Sequence, residues 1–306
     1  MSKPLVVFLN EVAGGRKLIE AVRERADDAS YIAVVAPQNQ PAVGQLFHPD
    51  EALEAAKARV EVTLAVLDEF DIEAIGEVLD PESDLALGDA IRAHRPSEAL
   101  VSSLYNNRFG ATRRDLIEWA EHEFEPGVKI THIPVRIKDD SIRLDLTHTL
   151  VVANQTLTSS DLVDRLLERA KDRPHRFTII APAAEGVSGD TTSRNLASVM
   201  AELYRHDIDA TGQPMSSEPF LSVKNAIEHY RVDDILISTL PGEESRWLES
   251  DLIGRVREIT EKPVAHYEAG RAPEAFASVV AEGEVENPAN DAGGSVAVAD
   301  EDKDEA

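Results

Sequence analysis

The chain contains no cysteine, so disulfide bonds, thiolate metal ligands and cysteine nucleophiles are excluded. It also has no apolar run approaching the ~18 residues of a membrane-spanning helix, so no membrane partner is predicted. The apolar stretch near the start ends at Asn10 and Glu11, which is too short for a signal peptide. Together these absences predict a soluble, cytoplasmic protein.

Basic residues are scarce. The chain has 31 Lys and Arg residues against 57 Asp and Glu residues, for a net charge of −26. From Glu282 onward there are nine acidic residues and one lysine, so about −8 of this charge lies in the C-terminal segment. The rest of the chain would still repel phosphate backbones, which argues against general nucleic-acid binding. A small anion held by backbone N–H groups is compatible with this charge.

The chain repeats itself at a spacing of about 140 residues. A repeat of this length indicates two tandem domains, because solenoid and propeller repeats are roughly 20–50 residues long. The matching segments are Pro4–Asn10 with His148–Asn154, Ala90–His94 with Ala226–Tyr230, Ser102–Leu104 with Ser238–Leu240, Asp115-Leu116 with Asp251-Leu252, and Ile130–His132 with Val264–His266.

Within each half, short apolar runs alternate with helical patterns in the order β-α-β-α-β-α-β-α-β. This alternation predicts a parallel sheet covered by helices on both faces. The fold class is therefore α/β, with two Rossmann-like five-stranded parallel-sheet domains in tandem, 1–136 and 148–270, and a disordered acidic tail, 271–306. The predicted strands are 4–10, 31–36, 72–79, 99–103, 128–135, 148–154, 175–181, 207–213, 233–239 and 263–267. The predicted helices are 16–27, 50–69, 81–94, 111–124, 159–171, 190–205, 217–230 and 244–260.

This pattern resembles the universal stress protein superfamily, whose fold is also called the HUP domain, and in particular its divergent tandem members from high-GC Gram-positive bacteria. The resemblance covers about residues 4–268. It implies adenine-nucleotide binding, with ATP or AMP as ligands, and dimers formed by pairing of the last strand. We therefore expect Lys129–Val135 to pair with Pro263–Glu268 in an intramolecular pseudo-dimer. The matching segments are Leu150–Asn154, Phe177–Pro182, Asp234–Pro241, Ser245–Leu248 and Lys262–His266.

The chain departs from the ATP-binding members at two points. They have an acidic residue at the end of the first strand, where this chain has Asn10 and Asn154. They also have a Gly-x₂-Gly-x₉-Gly-Ser/Thr run after the fourth strand, and neither half has its paired glycines. Glycines let the backbone approach phosphates closely. Because the second half lacks them and carries Glu243 and Glu244 in this loop, we expect it to bind a triphosphate poorly.

Ligands of open parallel sheets bind at the carboxyl ends of the strands, near the switch in strand order. Two interpretations of the polar residues there stay open: a ligand-binding cleft, or caps for the following helices. The arginines in the two loops after the fourth strands also have two interpretations. They form an anion-binding site, or they are solvated or paired with nearby acidic residues. The candidate ligand-binding residues are Asn10, Glu11, Ser102, Ser103, Asn106, Arg108, Asn154, Ser238, Thr239, Ser245 and Arg246.

No metal-binding or catalytic spacing is present, and His132 and His266 match through the duplication alone. The sequence predicts a non-catalytic binding or regulatory protein of the universal-stress type, with weak adenine-nucleotide or anion binding at most and no assigned cofactor. One alternative is an ATP-binding member with slow ATPase activity. Another is a protein-interaction module with a protein partner and no ligand.

Overall fold

The computed structural model describes residues 2–10, 15–39, 49–80, 82–104, 108–109, 114–135, 146–171, 173–182, 188–215, 218–241 and 245–268. The predicted tail, 271–306, lies outside these residues. So do Glu11 and Asn106, two of the candidate site residues.

The first half forms one five-stranded parallel sheet with helices between its strands. Its elements in chain order are β1 (Leu5–Leu9), α1 (Arg16–Ala26), β2 (Ile32–Pro37), α2 (Pro49–Asp68), β3 (Ile75–Leu79), α3 (Ser83–His94), β4 (Glu98–Leu104), β5 (Arg108–Phe109), β6 (Arg114–Asp115), α4 (Leu116–Phe124) and β7 (Lys129–Val135). The sheet order is β3-β2-β1-β4-β7, and β5 and β6 form a separate antiparallel pair.

The second half repeats this arrangement. Its elements are β8 (Thr147–Val152), a 3₁₀ helix (Gln155–Thr158), α5 (Ser160–Lys171), β9 (His175–Pro182), α6 (Gly189–Arg205), β10 (Asp209–Met215), α7 (Pro219–His229), β11 (Asp234–Thr239), α8 (Arg246–Glu249), α9 (Leu252–Ile259) and β12 (Val264–Glu268). Its order, β10-β9-β8-β11-β12, is that of the first sheet, and all its pairings are parallel. The predicted α/β fold of two five-stranded parallel sheets is confirmed.

Burial on both faces explains the continuous apolar runs of the central strands. In β1, Leu5, Val7 and Leu9 pack into one cluster of buried residues, whereas Val6 and Phe8 pack into another on the opposite face. Parallel sheets covered by helices on both sides require this composition, because neither face meets water. The same alternation assigns polar strand-end residues to defined faces of the sheet.

Two glycines occupy matching places in the edge strands β3 and β10. A Cβ atom on Gly76 would lie 2.7 Å from Leu64 Cδ1 of α2. A Cβ atom on Gly212 would lie 2.6 Å from Leu196 Cδ2 of α6. Both distances are shorter than van der Waals contact, so each glycine lets a helix pack closely on its edge strand.

The two halves contact each other through helices. α2 packs against α6. Ser193 donates to Glu61 Oε2 at 3.5 Å, and Arg205 Nη2 donates to the Glu69 carbonyl at 2.9 Å. One cluster of buried apolar residues draws members from both sheets. The halves therefore share a core, and both belong to one compact unit, Met1–Arg271.

The expected pairing of Lys129–Val135 with Pro263–Glu268 is wrong. β7 pairs with β4 and β12 pairs with β11, so within the described residues the two strands lie in different sheets. The physical reason is that the apolar sides of α2 and α6 bury each other and join the halves without a shared ladder. An intramolecular pseudo-dimer in the wider sense stays a prediction, as do the domain bounds.

Two local expectations also need correction. The helix predicted over 244–260 is two helices, because Asp251 adopts a left-handed backbone with φ of 49° between α8 and α9. The helix predicted from 111 begins at Leu116, after the β5–β6 pair. Asp115 and Asp251 are matching N-caps: the Asp115 carboxylate accepts from the Ile117 N–H at 2.8 Å, and that of Asp251 from the Gly254 N–H at 3.3 Å.

No helix in the described ranges combines the length and apolar character needed to cross a bilayer.

Candidate functional site

The carboxyl edge of the first sheet brings Asn10 and Ser102 together. Asn10 directly follows β1, and Ser102 lies near the end of β4. These are the two neighbouring strands at which the strand order reverses. The Asn10 N–H donates to the Ser102 carbonyl at 2.9 Å. Both side chains are buried. The predicted meeting of these residues at the switch point is therefore present in the structure.

A buried arginine fixes the orientation of the Asn10 amide. Arg59 of α2 donates to the Pro37 carbonyl at 2.8 Å and to Asn39 Oδ1 at 3.0 Å. Because arginine has no acceptor, the Asn39 atom facing it must be the oxygen. Asn39 Nδ2 then donates to Asn10 Oδ1 and to Ser83 Oγ, each at 3.1 Å. The Asn10 oxygen is thereby occupied.

The orientation leaves the Asn10 amide N–H₂ group for other partners. No described residue accepts a hydrogen bond from Asn10 Nδ2. In the second half, Asn154 Nδ2 already donates to the Pro182 carbonyl. The two strand-end asparagines thus differ. The N–H₂ group of Asn10 is a donor at the switch point, whereas that of Asn154 already donates to a carbonyl of its own sheet.

The capping interpretation does not hold for Asn154. It precedes the 3₁₀ helix Gln155–Thr158, but its side chain makes no capping hydrogen bond. Ser245 precedes α8 and likewise makes no capping hydrogen bond with its side chain. Near the ends of the fourth strands, the side chains that cap helices are instead Asp115 at α4 and Asp251 at α9.

Ser102 and Ser238 carry buried hydroxyls without a hydrogen-bond partner in the described parts of the chain. Each lies one residue before a hydroxyl residue, Ser103 or Thr239, that does have a partner. In β4, the alternation places Ser102 on the face of Leu100 and leaves Ser103 on the opposite one. An unpartnered buried hydroxyl costs about 1–3 kcal/mol, so these positions are energetically unfavourable without a ligand or water.

The second member of each hydroxyl pair contacts a histidine of the neighbouring edge strand. Ser103 Oγ lies 2.9 Å from His132 Nε2, and Thr239 Oγ1 lies 2.8 Å from His266 Nε2. Burial lowers the pKa of His132, although the charge of Asp115 opposes this shift. His132 is therefore neutral at physiological pH and able to hold Ser103 in place.

The remaining candidates do not join this group. Arg108 contributes backbone to β5, and its side chain lies outside the described atoms, as do Glu11 and Asn106 entirely. Arg246 begins α8 in the second half. Within the described ranges, no three His, Asp or Glu side chains converge closely enough to hold a metal ion.

Sequence reasoning missed three residues of the polar network: Asn39, Arg59 and Ser83. A signal existed for Asn39, because it lies two residues after the end of β2, close to the edge at which Asn10 follows β1. Arg59 gave none, since it lies in the middle of a long helix whose neighbours supply an apolar stripe. In chemical terms the described edge offers neutral donors and acceptors, with one guanidinium already engaged.

No protein-family model and no curated protein matches this chain. Its structure is similar to that of a universal stress protein from Archaeoglobus fulgidus DSM 4304, with 12% identity, a TM-score of 0.33, and coverage of 88% of this chain and 97% of the other. It is also similar to CobK precorrin-6A reductase, with 11% identity, a TM-score of 0.25, and coverage of 92% and 97%. A ketoreductase domain from the bacillaene assembly line is 12% identical, with a TM-score of 0.27 and coverage of 86% and 68%. These similarities concern the fold alone.

Proposed function

We propose that this is a non-catalytic binding or regulatory protein of the universal-stress type, which binds an adenine nucleotide weakly at the carboxyl edge of its first sheet. The observation that supports this proposal is the Asn10 amide, which Asn39 holds by its oxygen so that its N–H₂ group is left for a ligand. A nucleobase nitrogen or ribose oxygen could accept from it.

The same chemistry favours weak binding and a small phosphate chain. Arg59 is the cation of the described network, and it is engaged by Asn39 and Pro37. The loops lack the paired glycines that bring backbone N–H groups to a triphosphate. We therefore expect AMP or adenosine to bind at least as well as ATP, and Mg²⁺ to add nothing.

The test is calorimetric titration of the full chain with AMP and ATP, with Asn10→Asp as the critical variant. This substitution keeps the oxygen that accepts from Asn39 but replaces the N–H₂ donor by a carboxylate oxygen. We expect it to weaken AMP binding at least tenfold, while Asn154→Asp, the matched control, leaves binding unchanged because that amide is already used.

Tighter AMP binding by Asn10→Asp would show that the edge accepts rather than donates, contrary to the proposal. Absence of any heat or thermal shift with millimolar nucleotide would exclude nucleotide binding and favour the protein-interaction module.

A further inference from the structure

A cavity lies where the two halves meet, at the amino edge of the second sheet. Its volume is about 200 Å³. The first half contributes the start of α1 and the end of β7, and the second half contributes strands β8 to β10 and the end of α7. The described residues lining it are Gly15, Lys17, Ile133, Pro134, Val135, His148, Arg176, Thr178, Asp209, Thr211 and Tyr230.

The size of this cavity favours a small ligand. Pockets for drug-sized ligands are about 300–1,000 Å³. A volume of about 200 Å³ lies below that range, so the cavity suits a ligand smaller than a drug-sized molecule.

The hydroxyl hydrogens of the second-half wall are used within the protein. His148 Nδ1 lies 3.0 Å from the Arg231 carbonyl, which can only accept, so Nδ1 carries the proton and Nε2 accepts. Thr178 Oγ1 then donates to His148 Nε2 at 2.9 Å, and Thr211 donates to Thr178 Oγ1 at 3.3 Å. Thr211 Oγ1 is left as an acceptor for a ligand.

Charged groups of both signs border the same cavity. Arg176 Nε lies 3.5 Å from Asp209 Oδ2, and Lys17 adds a second cation from the first half. Burial keeps His148 neutral by lowering its pKa to about 4. A ligand carboxylate has partners in the two cations, and a ligand ammonium has partners in the Asp209 carboxylate and Thr211 Oγ1.

Apolar groups complete the wall. Ile133, Pro134 and Val135 line the cavity at the end of β7. They suit a short aliphatic or hydroxymethyl side chain. A ligand with only a negative charge would be repelled by the Asp209 carboxylate. A ligand with only a positive charge would be repelled by Lys17 and Arg176.

We infer that this cavity binds a small zwitterion, a free α-amino acid of the size of alanine or serine. Its carboxylate faces Lys17 and Arg176, its ammonium group faces Asp209 and Thr211, and its side chain contacts the end of β7. This site is distinct from the proposed nucleotide site, because Asn10, Asn39 and Ser102 do not line it, although its β7 wall pairs with the end of β4 in the same sheet.

The test is calorimetric titration of the full chain at neutral pH and constant ionic strength with alanine, N-acetylalanine and alaninamide. The two analogues keep only the carboxylate or only the ammonium group. We expect alanine to bind and each analogue to bind at least tenfold more weakly. Equal binding by N-acetylalanine or by inorganic phosphate would contradict a zwitterion site, and no binding of alanine, serine or glycine would overturn the inference.

Two variants locate the site. Asp209→Asn should weaken alanine binding at least tenfold by removing the acceptor charge, and Thr211→Val serves as a second variant should Asp209→Asn fold poorly. The matched control is Arg165→Gln, which removes a surface cation that pairs with Glu168 at 2.7 Å. Alanine binding that survives both Asp209→Asn and Thr211→Val would place it elsewhere. AMP binding should be unchanged in these variants, so failure here and failure of the nucleotide proposal are distinguishable.

Discussion

His148 makes the stability of this protein depend on pH in a defined window. Burial, followed by the charge of Arg176, lowers its pKa from 6.5 to about 4, although the Arg231 carbonyl and the charges of Asp233 and Asp234 oppose the shift. The folded state therefore holds the neutral ring, whereas the unfolded chain takes up a proton below about pH 6.5. The contribution of His148 to the free energy of unfolding is fully present above that pH and is lost as the pH decreases towards 4.

The size of the effect follows from the shift. A difference of about 2.5 pKa units at about 1.36 kcal/mol each gives about 3 kcal/mol of unfolding free energy lost between pH 6.5 and pH 4. Below pH 4 this group contributes no further loss. Other groups titrate in the same window, so the contribution of His148 must be obtained as a difference.

The assay is urea unfolding at intervals from pH 7.5 to pH 4, for the unchanged chain and for His148→Gln. The variant should be less stable at pH 7.5, because it loses the fixed contacts to Arg231 and Thr178. Between pH 7.5 and pH 4 its free energy of unfolding should fall by about 3 kcal/mol less than that of the unchanged chain. Parallel curves for the two proteins would refute the reasoning, since they would mean that His148 titrates alike in both states.

Three further predictions concern the stability of the folded protein. Ser102→Ala should raise the unfolding free energy by about 1 kcal/mol or more, because it removes an unpartnered buried hydroxyl, whereas Ser188→Ala should lower it by about 1 kcal/mol by removing the α6 cap; denaturant midpoints of both variants decide the signs. Gly212→Ala should cost about 1–3 kcal/mol by forcing Met200 and Leu196 away, whereas Gly189→Ala, with nothing near its Cβ position, should be neutral or stabilising in the same assay. Either half expressed alone should bind a hydrophobic dye and melt below the full chain, because it exposes the face that α2 and α6 bury; equal melting temperatures would show that the halves are independent.

The strands could be predicted from sequence because their apolar runs are local and continuous. The ten main strands lie within about three residues of their predicted bounds, and the polar edge of each sheet follows from where those runs stop. The break between α8 and α9 could not be predicted. A single left-handed residue, Asp251, decides it, and aspartate is common both in that conformation and at ordinary helix starts.

Features that depend on contacts between distant segments could not be predicted from the sequence either. The apolar stripe of α2 predicts a buried face but does not specify whether α6 or a second chain covers part of it. The cavity combines residues from β7 with residues from β8 to β10, none of which forms a local motif. His148 was visible only as part of the repeat, since the carbonyl and hydroxyl that fix its tautomer lie 83 and 30 residues away.

The shared core decides how ligand binding must be assigned in this protein. Buried apolar residues of both sheets belong to one cluster, so unfolding of one half exposes part of the other. A ligand bound at either place then stabilises the folded unit as a whole, by RT ln(1 + [L]/Kd). A thermal shift on its own reports that something binds, and it cannot distinguish the carboxyl edge of the first sheet from the cavity between the halves. The assignment therefore depends on the variants: Asn10→Asp must affect only the nucleotide, and Asp209→Asn only the amino acid.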